Sequence, residues 1–240
     1  MKRLTVIVLV IAAIGWVGWR VKQSPVPPSV KKNTTKQSTA SFNKQQFSTD
    51  TPGSLWWVVN KKRPLPEGYV PSELVVPKVS LRLAGSAEQM QLNKVTANAT
   101  EAMFAAAQQQ GIKLMLASGY RSEAYQRQLY NGYVATDGQE AADRSSAKPG
   151  TSEHQTGYAM DVCAAGSNCE LVQSFGATDT GKWLAQHANE YGFVIRYQQG
   201  KESVTGYEYE PWHLRYVGSD LANELYKNGQ TIEEFFDLKG

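Results

Sequence analysis

The sequence predicts an α+β domain, with a small, mostly antiparallel sheet and flanking helices, behind an N-terminal membrane anchor and a disordered linker. Three observations lead there. Residues 92–110 and 180–191 carry helical patterns, whereas residues 112–116 and 193–197 are apolar runs of strand length. The chain then turns near Gly200 and returns through residues 207–214, as a hairpin would. Helices mixed with short strands in this way build an α+β domain. Composition also shifts near residues 22 and 53, dividing the 240 residues into an anchor (1–22), a linker (23–53) and a domain (54–240).

The anchor follows from charge. Lys2 and Arg3 precede an uncharged stretch over residues 4–19, and Arg20 and Lys22 close it. As a helix rising 1.5 Å per residue it spans roughly 24 Å, against ~30 Å of hydrocarbon, and snorkelling Lys and Arg side chains make up part of the difference. A cleavable signal peptide is the alternative, but such peptides end at small residues, and Trp16, Trp19 and Arg20 occupy that place. Both readings export the rest, and the anchor reading puts a single-pass protein in the cell membrane with its domain on the envelope side. Next come Pro25, Pro27 and Pro28, then Lys, Asn, Thr, Ser and Gln with few apolar side chains, too few to offset the entropy of ordering. The net charge of +3 lies partly in these segments, so it does not support a nucleic-acid partner. No internal repeat interrupts the domain.

Within the domain, Leu55-Trp56-Trp57-Val58-Val59-Asn60 reads as a strand or extended lead-in, and Pro64 and Pro66 stiffen the irregular stretch after it. The first helix shows Val95, Ala99, Ala102, Met103 and Ala106 at three- and four-residue steps and stops at Gly111. After the strand at 112–116, Ser118-Gly119-Tyr120-Arg121-Ser122 turns, and Ser122 suits the N-cap of a helix running to about residue 133. Cys163 and Cys169 could close a small disulfide loop in an oxidising compartment; a thiolate metal pair or two free thiols are the alternatives.

Two segments concentrate the chemistry, Ser152-Glu153-His154-Gln155-Thr156-Gly157-Tyr158-Ala159-Met160-Asp161 and Glu210-Pro211-Trp212-His213. They hold two of the three histidines, and His154, Asp161 and His213 are the donor types that zinc takes in hydrolytic sites, which keep one position for water. Glu210, three residues before His213, suits the base. One flat strand cannot aim both His154 and Asp161 inward, because an odd separation of seven alternates faces, so the chain must bend near Gly157. Pro211 likewise keeps Glu210 and His213 off a helix interior. Scattered surface residues or a structural zinc site are the plainer readings, but structural sites use four, often Cys-rich, ligands, and no fourth is evident.

The patterns Ser-x-His-x-x-Gly-x-Ala-x-Asp and Glu-x-x-His, with Val59-Asn60-Lys61, Pro64-Leu65-Pro66 and Ser118-Gly119-Tyr120-Arg121-Ser122, resemble the zinc D-alanyl-D-alanine carboxypeptidases of the VanY type. That group also contains the VanX dipeptidases and the LdcB-type L,D-carboxypeptidases. The resemblance covers residues 54–240 and implies a Hedgehog/D,D-peptidase-like fold. It implies one Zn2+ per domain on His154, Asp161 and His213, catalysis by Glu210, and peptidoglycan stem peptides as substrate. Arg121, Gln126 and Ser152 match positions that face substrate, with Arg121 serving its carboxylate or the oxyanion. Trp212 and Tyr207 suit either pocket walls or core, and His187 a helix surface.

Other mechanisms fit less well. Ser145-Ser146-Ala147-Lys148 has the Ser-x-x-Lys spacing of penicillin-binding enzymes, but Pro149-Gly150 follows at once and no Lys-Thr-Gly comes later. Neither a His-Glu-x-x-His zincin motif nor a cysteine-peptidase context is present. The spacing leaves three readings in place: D,D-carboxypeptidase, L,D-carboxypeptidase or endopeptidase on the same polymer, and a wall-binding module without catalysis.

Overall fold

The computed structural model describes residues 42–238; the expected anchor and most of the linker lie outside them. Among the described residues no helix is long and apolar enough to cross a membrane. The elements run β1 (Leu74–Val75), β2 (Leu92–Asn93), α1 (Lys94–Gln109), β3 (Leu114–Ser118), α2 (Glu123–Asp137), α3 (Gln139–Ser145), β4 (Ala159–Ala164), α4 (Asp179–His187), β5 (Phe193–Ile195), α5 (Glu202–Thr205), β6 (His213–Tyr216), α6 (Ser219–Asn228) and α7 (Ile232–Phe236). Four strands form one antiparallel sheet in the order β3-β4-β6-β5, and β1 pairs separately with β2. The α+β class with small antiparallel sheets is what the sequence predicts.

Side-chain alternation gives the main sheet two different faces. Leu114, Leu116, Met160, Val162 and Leu214 point into the main core with Met103, Phe104 and Ala107 of α1 and Trp183 and Leu184 of α4. Ala117 and Cys163, one register step away, form a small cluster with Cys169 on the other side. Asp161 and His213 share that second face, so the same alternation that builds the core delivers polar groups opposite it.

Helix α1 begins where Asn93 accepts a hydrogen bond from the Val95 amide, but its buried stripe is Thr96, Ala97, Thr100, Met103, Phe104 and Ala107. Val95 lies exposed, so the apolar stripe read from the sequence is rotated by about one residue. Thr100 can face the core because its hydroxyl donates to the Thr96 carbonyl at 2.8 Å.

Residues 55–60 form no strand, and their only bridge joins Asn60 to Arg63. Residues 56–60 are buried: Trp56 and Val58 pack with Leu221, Leu225, Ile232 and Phe235 of α6 and α7, whereas Trp57 and Val59 pack with Leu65 and Tyr69. The packed body also starts before Ser54. Phe42 stacks 5.5 Å from Trp56, and the Val58 amide donates to Thr49 at 3.0 Å. The aromatic pair Phe42 and Phe47, isolated in a polar stretch, helps tie these twelve or so residues to the domain, together with Arg63, which donates to the Thr49 carbonyl at 3.0 Å. Cys163 and Cys169 are joined as a disulfide.

Candidate active site

Strand register makes the first half of the site, because Asp161 on β4 lies directly across from His213 on β6. His154 reaches them from a 3-10 turn, Glu153–Thr156, that ends at Gly157 in the left-handed region with φ +74°. Any side chain at Gly157 would be strained there and would press on the Asn93 amide nitrogen 3.1 Å away. This is the bend that the odd spacing demands. His154 Nε2 and His213 Nδ1 each stand 3.4 Å from Asp161 Oδ1, and the three donor atoms lie within 4.8 Å of one another.

Neighbouring groups fix which ring nitrogens face inward. His154 Nδ1 lies 2.7 Å from the Gly119 carbonyl, an acceptor only, so Nδ1 bears the proton and the Nε2 lone pair is free. Gly119 can come so close because it lacks a side chain; a Cβ would strike the Gln91 carbonyl at 2.3 Å. His213 turns Nε2 toward Glu153 Oε2, 3.8 Å away, and presents Nδ1 to Asp161. His154 Nε2 and Asp161 Oδ1 are buried without a hydrogen-bond partner. Buried polar atoms are seldom left so, and two imidazoles with one carboxylate are a donor set for a divalent transition metal. The residues therefore fit a single cation.

Glu210 stands at the rim of this trio. The His213 amide donates to the Glu210 carbonyl at 3.1 Å, closing a turn that Pro211 favours, and Glu210 Oε2 lies 3.3 Å from His213 Nδ1. Burial raises the Glu210 pKa, against the opposing pull of His213. Burial opposes charge on Asp161 too, but His154 and Arg121 outweigh it and hold that carboxylate well below the usual range. Burial, aided by Arg121, lowers His154 to about 4. For His213 burial is outweighed by Glu153, Glu210 and Asp161, and the ring is pushed up to about 9. These directions belong to the protein alone; a divalent cation draws each group toward its deprotonated form.

The trio lines a cleft of about 520 Å³, together with Arg121, Ser152, Glu210, Tyr207 and Trp212. Arg121 Nη2 donates to Asp161 Oδ2 at 3.2 Å and Nη1 to Gln126 Oε1 at 3.2 Å. Gln126, expected to face substrate, instead sits buried behind Arg121 and donates to the Ala147 carbonyl at 2.8 Å. Its place one helical turn past Arg121 lets it steady the guanidinium. Lys148 pairs with Asp143 and α3 ends at Ser145, so the Ser-x-x-Lys spacing does not form a helical dyad. His187 closes α4 beside Glu190, outside the cleft.

Sequence reasoning missed a second polar cluster. Glu153, Arg196, Arg215 and Glu233 are buried together, with Arg196 Nε 2.8 Å from Glu153 Oε1 and its other nitrogens 2.8 and 2.5 Å from the two Glu233 oxygens. The one available signal was Glu153, a carboxylate inside the first motif.

Known proteins resemble the chain over this same region. The family model described as VanY: D-alanyl-D-alanine carboxypeptidase matches residues 89–219. The chain is 40% identical to the Bacillus subtilis protein YodJ over 217 residues, 86% of this chain and 80% of the relative. Among solved structures it is similar to the LdcB LD-carboxypeptidase, with 42% identity, a TM-score of 0.73, and 79% and 88% of the two chains covered. It is also similar to the VanY D,D-pentapeptidase of a VanB-type resistance cassette, solved in complex with Zn(II), with 31% identity, a TM-score of 0.61, and 75% and 97% covered.

Proposed function

The chain belongs to the VanY family of D-alanyl-D-alanine carboxypeptidases and is an enzyme, and from that premise we propose that it removes the C-terminal D-alanine of peptidoglycan stem peptides with one zinc ion. The observation that carries this reading is the trio of inward-facing donors with two unpartnered atoms, set in a cleft beside a carboxylate. His154 Nε2, Asp161 Oδ1 and His213 Nδ1 would hold the ion. When bound, zinc supplies Lewis-acid polarisation and an acidified water.

The chain's own residues supply the rest. Glu210 accepts a proton from the attacking water and returns it to the leaving amine, a role suited to a mostly buried carboxylate whose pKa burial raises. Arg121, braced by Gln126 and Asp161, offers its positive charge to the terminal carboxylate or the developing oxyanion. Ser152 lines the same cleft and can donate to the substrate carboxylate. The disulfide and the apolar N-terminal stretch support an exported, membrane-tethered enzyme.

A second reading rests on the LdcB likeness, which is higher in identity and TM-score than that to VanY: cleavage of an L,D bond in tetrapeptides. The whole chain, incubated with penta- and tetrapeptide stems, should release one D-alanine from the pentapeptide, read by product mass, and chelation should stop the release. Release from the tetrapeptide alone would move the assignment to the L,D reaction. Activity that survives chelation but not a β-lactam would remove the metal from the mechanism.

A further inference from the structure

We infer that Glu153 is a positioning residue for the metal site, holding His213 through its Nε2–H, and that Arg196, Arg215 and Glu233 fix Glu153 for this task. The inference rests on the zinc reading above.

The Glu153 side chain is fully buried, and its two oxygens have different surroundings. Oε1 accepts from Arg196 Nε at 2.8 Å and from Arg215 Nη1 at 3.3 Å. Oε2 has no hydrogen-bond partner, and neither does His213 Nε2, which faces it at 3.8 Å. One is an acceptor and the other becomes a donor once Nδ1 is given to a metal. Buried polar atoms are seldom left unpaired, and these two face each other.

The surroundings leave Glu153 little freedom to serve elsewhere. Arg196 is bound by both oxygens of Glu233 on α7. Arg215 gives Nη2 to the carbonyls of Leu55 and Trp57 at 3.1 and 2.9 Å, and Nε to that of Tyr216 at 3.1 Å. Two cations and two carboxylates balance, so Oε1 is committed and Oε2 is pinned toward His213. Glu153 also precedes His154 in the 3-10 turn, and Arg215 follows His213 by two on β6. The two histidines are thus each held by a partner on the ring nitrogen turned away from the site, His154 by the Gly119 carbonyl and His213 by Glu153. Partners of this kind fix ligand orientation and are worth about 10–100-fold in metal affinity.

The test uses the whole chain labelled with 15N-histidine, whose three histidines give a simple spectrum. Zinc affinity is measured by competition with a chromophoric chelator. In the zinc-loaded unmutated chain His213 should be bound through Nδ1, with a slowly exchanging Nε2–H. Glu153→Asp keeps the charge between the two arginines but shortens the reach. It should speed exchange of that proton and weaken zinc binding about 10–100-fold, leaving the His154 Nδ1–H unchanged. A Glu153 that only balances Arg196 and Arg215 would leave the His213 proton and the zinc affinity untouched, so wild-type affinity and exchange in Glu153→Asp would overturn the inference. So would a His213 bound through Nε2 in the unmutated chain, a result that does not depend on the variant folding. An unmutated chain that takes up no zinc would bring down the proposed function as well.

Discussion

Glu153 and His154 are neighbours in the chain, and Arg215 follows His213 on one strand, yet these pairs divide between two buried clusters of opposite character. In the quartet of Glu153, Arg196, Arg215 and Glu233, salt bridges of 2.5 to 3.3 Å join every member to another. In the trio of His154, Asp161 and His213 the closest approaches are 3.4 Å, and two inward atoms have no hydrogen bond. Both are buried. What differs is closure: every side-chain polar atom of the quartet is paired except Glu153 Oε2, which turns toward His213, and the quartet secures the fold, whereas the trio is kept open by its neighbours and is available for chemistry. Buried charge alone therefore does not mark an active site; incomplete pairing beside a cleft does.

The comparison breaks most readily at Asp161, which both histidines share. Asp161→Ala should drop zinc from about one per chain to trace and bring peptide hydrolysis to background, measured by metal analysis beside the rate. Full zinc content in that variant would show that the trio does not hold the metal. Next in size, Glu210→Gln should keep zinc and lose ~10²–10⁴-fold in turnover. Wild-type turnover there would leave the reaction without its base, and lost zinc would make Glu210 a ligand.

The quartet should answer in stability instead. Glu233→Ala leaves two nitrogens of the buried Arg196 guanidinium without their carboxylate, at a cost of about 3–5 kcal/mol, or roughly 6–20 °C in melting temperature. Calorimetry showing no such loss would mean that the quartet does not hold the fold. The smallest effect belongs to the disulfide, outside both clusters. Reducing Cys163–Cys169 should cost about 2 kcal/mol by loop-closure entropy and leave zinc stoichiometry unchanged. Zinc loss on reduction would tie that loop to the site.

The trio was legible because its logic is local. The Ser-x-His-x-x-Gly-x-Ala-x-Asp and Glu-x-x-His spacings, the parity of His154 and Asp161, and Pro211 all constrain geometry within ten residues. The quartet was not, because Arg196 lies 43 residues from Glu153 and 37 from Glu233, and isolated charges in a sequence resemble surface. Helices α6 and α7 escaped notice for a related reason: what they cover, Phe42, Leu55, Trp56 and Val58, lies far from them in the chain. That long-range packing is also why Leu55 to Asn60 imitates a strand. It is apolar because α6 and α7 bury Trp56 and Val58 while Leu65 and Tyr69 cover Trp57 and Val59, with no ladder involved. Gln126 matched a substrate-facing word, but sequence spacing does not say which of two neighbours stands in front.

The pairing of Asp161 with His213 also bears on how active molecules are counted. Strand faces alternate, so a slip of β6 by one residue against β4 would set Leu214 opposite Asp161 and send His213 into the core. A slip of two would restore the face but bring Arg215, a cation that cannot donate a lone pair. No misaligned form retains a weakened version of the site. Specific activity in any preparation therefore measures the fraction of molecules folded in register, and loss of activity on ageing or heating should appear as fewer working molecules, each with an unchanged Michaelis constant.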